Sequence, residues 1–168
     1  MNPRARSNFA LFASLMGVGA LASCQQTPLT GPPELKLGHQ ECGDCGMLIN
    51  EDRCCAAILV DIDGTHREHM LFDDIGCLLE LKAEKSDLKV IEHWVRDYSA
   101  RTWLKADSAA YLMSERIRTP MGSWIVAFAS RQAAEAVQKD HEGRILTWDE
   151  VIVARQEWMA ARYGKRPG

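Results

Sequence analysis

The sequence predicts an α+β fold in which a ββαβ unit occurs twice in tandem within one compact domain. Two observations carry this. Apolar strand-like runs and stretches of helical spacing follow one another in the order strand, strand, helix, strand, and that order then repeats. The spacing repeats too, with Phe72 standing 18 residues before Val90 and Phe128 standing 17 before Ile145. Two unrelated α+β segments of similar length would give the same pattern, and so short a repeat leaves that alternative open.

Residues 1–23 are predicted to be a leader rather than part of the fold. Arg4 and Arg6 precede an uncharged run from Phe9 to Leu21, which ends in Leu-Ala-Ser directly before Cys24. A run of about 13 residues is too short for a helix crossing roughly 30 Å of hydrocarbon, and a positive start with small residues at the end is the pattern of an export signal. The ending resembles the bacterial lipoprotein box, which makes Cys24 the expected lipidated N-terminus. Residues 24–40 are polar and proline-rich, so they read as a lipid-anchored tether.

The remaining residues, 41–168, are enough for one domain with a core, divided into repeats of about 41–98 and 99–150 and a C-terminal helix. In the first repeat "CCAAILVDI" reads as a strand, Asp63-Gly64 as a hairpin turn, and "REHMLF" as the returning strand. An aspartate caps the helix of "DDIGCLLELKAEK", where Ile75, Leu78, Leu79 and Lys82 recur at helical spacing, and "LKVIEHWV" is a strand. In the second repeat "RTWLKA" is a weak strand and "DSAAYLM" a short helix capped by Asp107. "SWIVAFA" is a strand, "SRQAAEAVQK" a helix capped by Ser130, and "RILTW" a strand. Thr147 and Glu150 then form a capping box before the last helix, whose apolar stripe is Val151, Ile152, Trp158 and Met159.

Charge and cysteine usage limit the function. Without the leader the chain has 18 basic and 23 acidic residues and no basic stripe, which argues against a nucleic-acid partner. Cys24 aside, five cysteines remain: Cys42, Cys45, Cys54, Cys55 and Cys77. An odd number in an oxidising compartment leaves at least one thiol free, metal-bound or paired with another chain.

The C-x-x-C of "ECGDCGMLIN", Cys42 and Cys45, admits three chemistries. A zinc ribbon needs a second ligand pair, which adjacent Cys54 and Cys55 are badly placed to supply. A thioredoxin-like oxidoreductase places its first thiolate at a helix N-terminus behind a strand, whereas this pair follows a proline-rich segment. Copper(I), a soft ion, takes thiolate and thioether ligands in small number, and Cys45-Gly46-Met47 offers both. The alternative for Met47 is core filling ahead of Leu48 and Ile49. Met121, in the tight "TPMGSW" loop, is a further ligand or a wall of the site, with plain packing as its alternative.

"CGDCGM", "FDDIGCLL", "VRDY", "TWLKADSAAYL" and "TPMGSWIVAF" occur in this order, and together they resemble the nitrous-oxide reductase accessory lipoprotein family, NosL. The resemblance runs from about Glu41 to Val151. It implies a non-enzymatic Cu(I) metallochaperone held by a lipid anchor on the periplasmic side of a membrane in the bacterial cell envelope. Its implied partners are nitrous-oxide reductase, whose copper centres it would help assemble, or the associated membrane transporter complex. A fold of two ββαβ units, similar in shape to organomercury lyase, is also implied. Carried onto this chain, the family's metal is expected near Cys45, Met47 and Met121, with Cys42 beside them. Cys54 and Cys55 depart from the family pattern and put a simple one-copper count in doubt.

Other residues carry less. Asp73 and Asp74 are explained as helix cap and first-turn acid rather than a catalytic pair. His69 and Met70 point to opposite faces of their strand, so at most one faces a site, and His69 reads as a surface residue. Cys77 reads as a small buried hydrophobe.

Overall fold

A computed structural model describes residues 28–164, so the predicted leader and Cys24 lie outside the described residues. The first repeat comprises β1 (Ala56–Asp61), β2 (Arg67–Phe72), α1 (Ile75–Glu84) and β3 (Val90–Arg96). A short edge strand β4 (Trp103–Lys105) and a single 3-10 turn (Ala106–Ser108) lead into the second. That repeat comprises β5 (Ala110–Met113), β6 (Ile125–Phe128), α2 (Arg131–His141) and β7 (Arg144–Leu146), and α3 (Trp148–Tyr163) closes the chain.

The strand orders are β2-β1-β3-β4 and β6-β5-β7, every pairing being antiparallel. In each repeat the first strand is central, flanked by the second and third, so the two ββαβ units share one topology. The expected helix "DSAAYLM" is a correction, since only its start coils and Ala110–Met113 is the central strand of the second sheet. Tyr111 packs into the larger core and its neighbour Leu112 into the smaller one. A strand buried on both faces reads as a continuous apolar run, which periodicity alone does not separate from a buried helix. The partner of β1 in the repeat is therefore β5, while "RTWLKA" adds an edge strand to the first sheet.

Two cores follow from this alternation. Ile58, Val60, Phe72, Leu78, Val95, Tyr111, Ile125 and Val151 build the larger, between the first sheet, α1, α3 and one face of the second sheet. Leu112, Val126, Phe128 and Ala134 build the smaller, between the other face and α2. Asp97 joins the repeats. One oxygen accepts the amides of Ser99 and Ala100, each at 2.8 Å, and the other accepts the amide of Ala129 at 2.8 Å. With all its bonds made inside the protein, this buried carboxylate is structural.

The segment expected to be a tether as far as residue 40 is bonded to the first sheet at Leu29 and Gly31. The Leu29 carbonyl accepts from Arg67 at 3.1 Å, the Gly31 amide donates to Glu92 at 3.0 Å, and the Gly31 carbonyl bonds His69 Nε2 at 2.7 Å. His69 and Glu92 both pair with Leu59, so this segment covers the face of β1 that carries Leu59, which is fully buried. Proline-rich chain lacks the apolar surface for a core of its own, but its backbone groups here find partners on strand side chains. His69 is thereby a positioning contact for this segment.

Candidate metal centre

The C-x-x-C occupies the tip of a hairpin-like loop. Glu41 bridges to Leu48, the Cys42 amide donates to the Met47 carbonyl at 2.8 Å, and the Gly46 amide returns to the Cys42 carbonyl at 2.9 Å. Gly46 takes a φ of 73°, a left-handed conformation that side chains resist. The loop is seated on the end of β2, where the Gly43 amide donates to Leu71 O at 2.8 Å. A Cβ on Gly43 would lie 2.3 Å from Met70 Cγ, so any larger residue here would have to displace the Met70 side chain. Met70, not His69, is therefore the residue of that strand facing the loop.

Beneath the loop, β2 ends and α1 begins. Asp74 is the helix cap, its Oδ1 accepting the Gly76 amide at 2.7 Å, and its Oδ2 accepts the Met121 amide at 2.9 Å. The second bond pins the Thr119–Trp124 loop of the other repeat beside the cysteine loop. Within the pinned loop, Thr119 Oγ1 accepts the amides of Ser123 at 3.0 Å and Trp124 at 3.1 Å, and Trp124 is held at a φ of 60°.

Four ligand atoms converge where these elements meet: those of Cys42, Cys45, Asp73 and Cys77 lie within 4.8 Å of one another. Cys45 Sγ is 4.0 Å from Asp73 Oδ1. Cys45 is half-buried, while Cys42, Asp73 and Cys77 are buried, so the group is a nest with its opening at Cys45. Two metal–thiolate bonds of about 2.3 Å on opposite sides of an ion span about 4.6 Å, so the nest is the right size for one ion.

Of the residues expected from sequence, Cys42 and Cys45 are in the nest. Met47 is tied to Cys42 of the nest and Met121 to Asp74 beside it, and the two residues are 54% and 40% exposed, which removes core filling as their explanation. Cys77 is buried in the larger core as expected, and it also lies among the other three donors, while the reading of Asp73 as a helix-start residue is a correction. Asp73 precedes the cap rather than serving the helix, and Cys77, one helical turn past it, faces the thiols. Cys77 and Asp73 complete a four-donor set with Cys42 and Cys45, so four ligands are available without Cys54 and Cys55. Those two cysteines are buried, Cys54 against Leu112 and Ile117, and Cys55 Sγ donates to the Glu51 carbonyl at 2.9 Å. They stand outside the four-donor group. Burial pushes the Cys54 thiol up to about 12 and raises Cys55 as well, so neither readily becomes a thiolate ligand.

The four groups of the nest share their protons unequally, which favours an ionised Cys42. The Cys77 thiol donates to Cys42 and, with backbone donors at Cys45, Asp44 and Asp73, brings Cys42 down to about 4 against the opposing effect of burial. Donation to Cys42, then burial, raises Cys77. Burial, chiefly, also raises Cys45. Asp73 is pushed up to about 7, first by burial and then by Cys42. A thiolate is thus present before any ion arrives, and an ion's positive charge would displace the protons on the others.

The fold and this site define a small α+β domain with a thiol-rich centre able to hold a metal ion. More particularly, the chain belongs to the NosL family, whose model matches residues 35–155. It is 27% identical over 133 residues to the copper-binding lipoprotein NosL of Stutzerimonas stutzeri, an alignment covering 74% of this chain and 68% of that protein. In fold it is similar to the crystal structure of the copper chaperone NosL from Shewanella denitrificans. That match has a TM-score of 0.59 and 22% identity, and it covers 71% of this chain and 96% of the other.

Proposed function

We propose that this protein is a lipid-anchored, periplasmic Cu(I) carrier that supplies copper for assembly of the copper centres of nitrous-oxide reductase and performs no catalytic turnover itself. The observation that carries the reading is the nest itself: three thiols, one already ionised, beside two loops that leave methionine side chains exposed. Soft sulfur donors suit Cu(I), and a site open at Cys45 gives an acceptor's ligands a place to attack. The copper-binding description of the Stutzerimonas stutzeri relative supports the metal, and the recipient is the one that the sequence resemblance implies. Anchoring through Cys24 agrees with that relative's description as a lipoprotein.

The thiol-disulfide oxidoreductase reading is weaker in this geometry. Such an enzyme needs an accessible, acidified thiol, usually at a helix N-terminus. Here the ionised Cys42 is 2% exposed at a hairpin tip, and the accessible Cys45 is the thiol with the raised pKa.

The deciding experiment is an anaerobic titration of the reduced protein with Cu(I) against a chromophoric chelator, repeated with Zn(II), alongside a disulfide-reduction assay. One tightly held Cu(I) per chain, weaker Zn(II) and no turnover are expected. Preference for Zn(II), which the Asp73 oxygen would favour, overturns the copper reading, and turnover overturns the carrier reading.

A further inference from the structure

We infer that the domain rests on the bilayer by the β1–β2 turn, with the metal centre at the far end of the first sheet pointing away from the lipid. The inference deepens the anchoring part of the proposed function and rests on Cys24 carrying the lipid. It follows from where Leu29 and Gly31 lie on the first sheet and which way the chain runs from them. Leu29 is bonded to Arg67, the first residue of β2, and Gly31 to His69, two residues further along. The segment therefore advances over the face of the first sheet, from the end carrying Arg67 to the level of His69, Leu59 and Glu92. The chain then reaches the cysteine loop, whose Gly43 is bonded to Leu71 near the other end of that strand.

Two lengths fix the orientation. Only Gln25, Gln26 and Thr27 separate Cys24 from Pro28, so the lipidated residue lies within about 14 Å of the start of the docked segment. From Arg67 to Asp73 the chain advances six residues, about 20 Å at about 3.3 Å each. A free tether from residue 24 to 40 would let the domain tumble at any angle. With Leu29 and Gly31 held on the first sheet, three residues separate Cys24 from Pro28, at the end of the sheet where β2 begins.

The surface at that end suits a lipid headgroup layer. Ile62 in the turn and Leu29, whose carbonyl accepts from Arg67, are exposed apolar residues, at 55% and 44%. Arg67 and Lys89 accompany them, balanced by Asp61, Asp63 and Glu68. With charges so mixed, the short link and the two apolar side chains hold the face down, not attraction to anionic lipid. The nest would then meet a copper acceptor from the aqueous side.

The test compares hydrogen exchange in two full-length, lipidated proteins on phosphatidylethanolamine–phosphatidylglycerol vesicles. One has the natural sequence. The other carries about twenty Gly/Ser residues inserted between Thr27 and Pro28, a coil of about 25 Å that frees the domain. Exchange in peptides covering residues 61–67 should be several-fold slower in the natural protein than in the insertion variant, with residues 42–47 and 119–124 unchanged between them. Slowing at the metal loops, or equal exchange at 61–67 in both proteins, overturns the orientation. A mass lacking lipid at Cys24 overturns the anchoring reading and the orientation with it. Metal-free protein is used throughout, so a failure of copper binding leaves this result standing.

Discussion

Asp74 Oδ2 accepts the backbone amide of Met121 at 2.9 Å, a bond between the helix of one repeat and a loop of the other. The same carboxylate caps α1 through the Gly76 amide at 2.7 Å, and it is fully buried. One side chain thus sets both the start of the helix that carries Cys77 and the position of the Met121 loop.

Replacing Asp74 with alanine should therefore damage stability and metal binding together. The lost cap costs about 1 kcal/mol and the stranded Met121 amide about 1–3 kcal/mol. Urea denaturation of the reduced protein should show a loss of about 2–4 kcal/mol, and Cu(I) competition a weaker site. Asp74→Asn, which keeps an oxygen for one of the two bonds, should fall between. Wild-type stability in the alanine variant would show that the loop is held by other contacts.

The nest makes a prediction that the C-x-x-C alone would not. Cys77→Ser should weaken Cu(I) by about tenfold or more, about 1.4 kcal/mol, in the same direction as Cys42→Ser and Cys45→Ser. The double variant Cys54→Ala/Cys55→Ala should keep one tight copper while losing stability, because those thiols fill buried space. A Cys77→Ser protein with unchanged affinity would return that residue to plain packing.

Much of the fold is legible in the sequence because local chemistry fixes it. Asp74 and Ser130 cap their helices, Thr147 and Glu150 form their capping box, and Asp63 closes its turn with bonds to Thr65 and His66. Ala110–Met113 was misleading, because burial on both faces erases the alternation that marks a strand. At the site, Cys42 and Cys45 stand out by spacing alone. Asp73 and Cys77 do not, since an acid before a helix and a cysteine on its apolar face already have local explanations. Their one-turn separation was the available signal, and it gains meaning only when β2 brings the cysteine loop onto the same spot. The docked N-terminal segment was hidden similarly, because its partners Arg67, His69 and Glu92 are strand side chains some forty to sixty residues away.

The shared charge predicts how the metal-free protein responds to pH. Asp73 holds its proton up to about 7 instead of the ordinary 3.8, so its contribution to stability is complete below about 4 and lost as pH rises toward 7. Cys42 loses its proton at about 4 instead of 9.0, so its contribution is complete above about 9 and lost as pH falls toward 4. Between about 4 and 7 the two slopes oppose each other, and above 7 only the Cys42 slope remains. Asp73→Asn should leave stability unchanged near pH 4 and raise it by about 2–4 kcal/mol near pH 8. Denaturation of both proteins across that range reads the difference directly. Parallel curves would mean that Asp73 is ionised in the native protein at every pH tested.

The last prediction concerns the exposed methionines, whose role decides how the site gives up its ion. Thiolates alone hold Cu(I) strongly and exchange it mainly with other thiols, whereas a neutral thioether adds a soft ligand without adding charge. Met47 and Met121 belong to different repeats; the Met47 carbonyl accepts from the amide of nest residue Cys42, and the Met121 amide donates to Asp74, the residue after Asp73. If both side chains close on the ion, Met47→Leu and Met121→Leu should each weaken Cu(I), and the double variant should weaken it further. Leucine is close to methionine in volume, and at half-exposed positions such a swap should change stability by less than about 0.5 kcal/mol. A loss of affinity can then be assigned to ligation. Copper competition and urea denaturation on the same three variants separate the two effects. Should the methionine variants bind like wild type while Cys77→Ser does not, the ion sits in the inner thiol nest, and the methionines form only the rim through which an acceptor approaches.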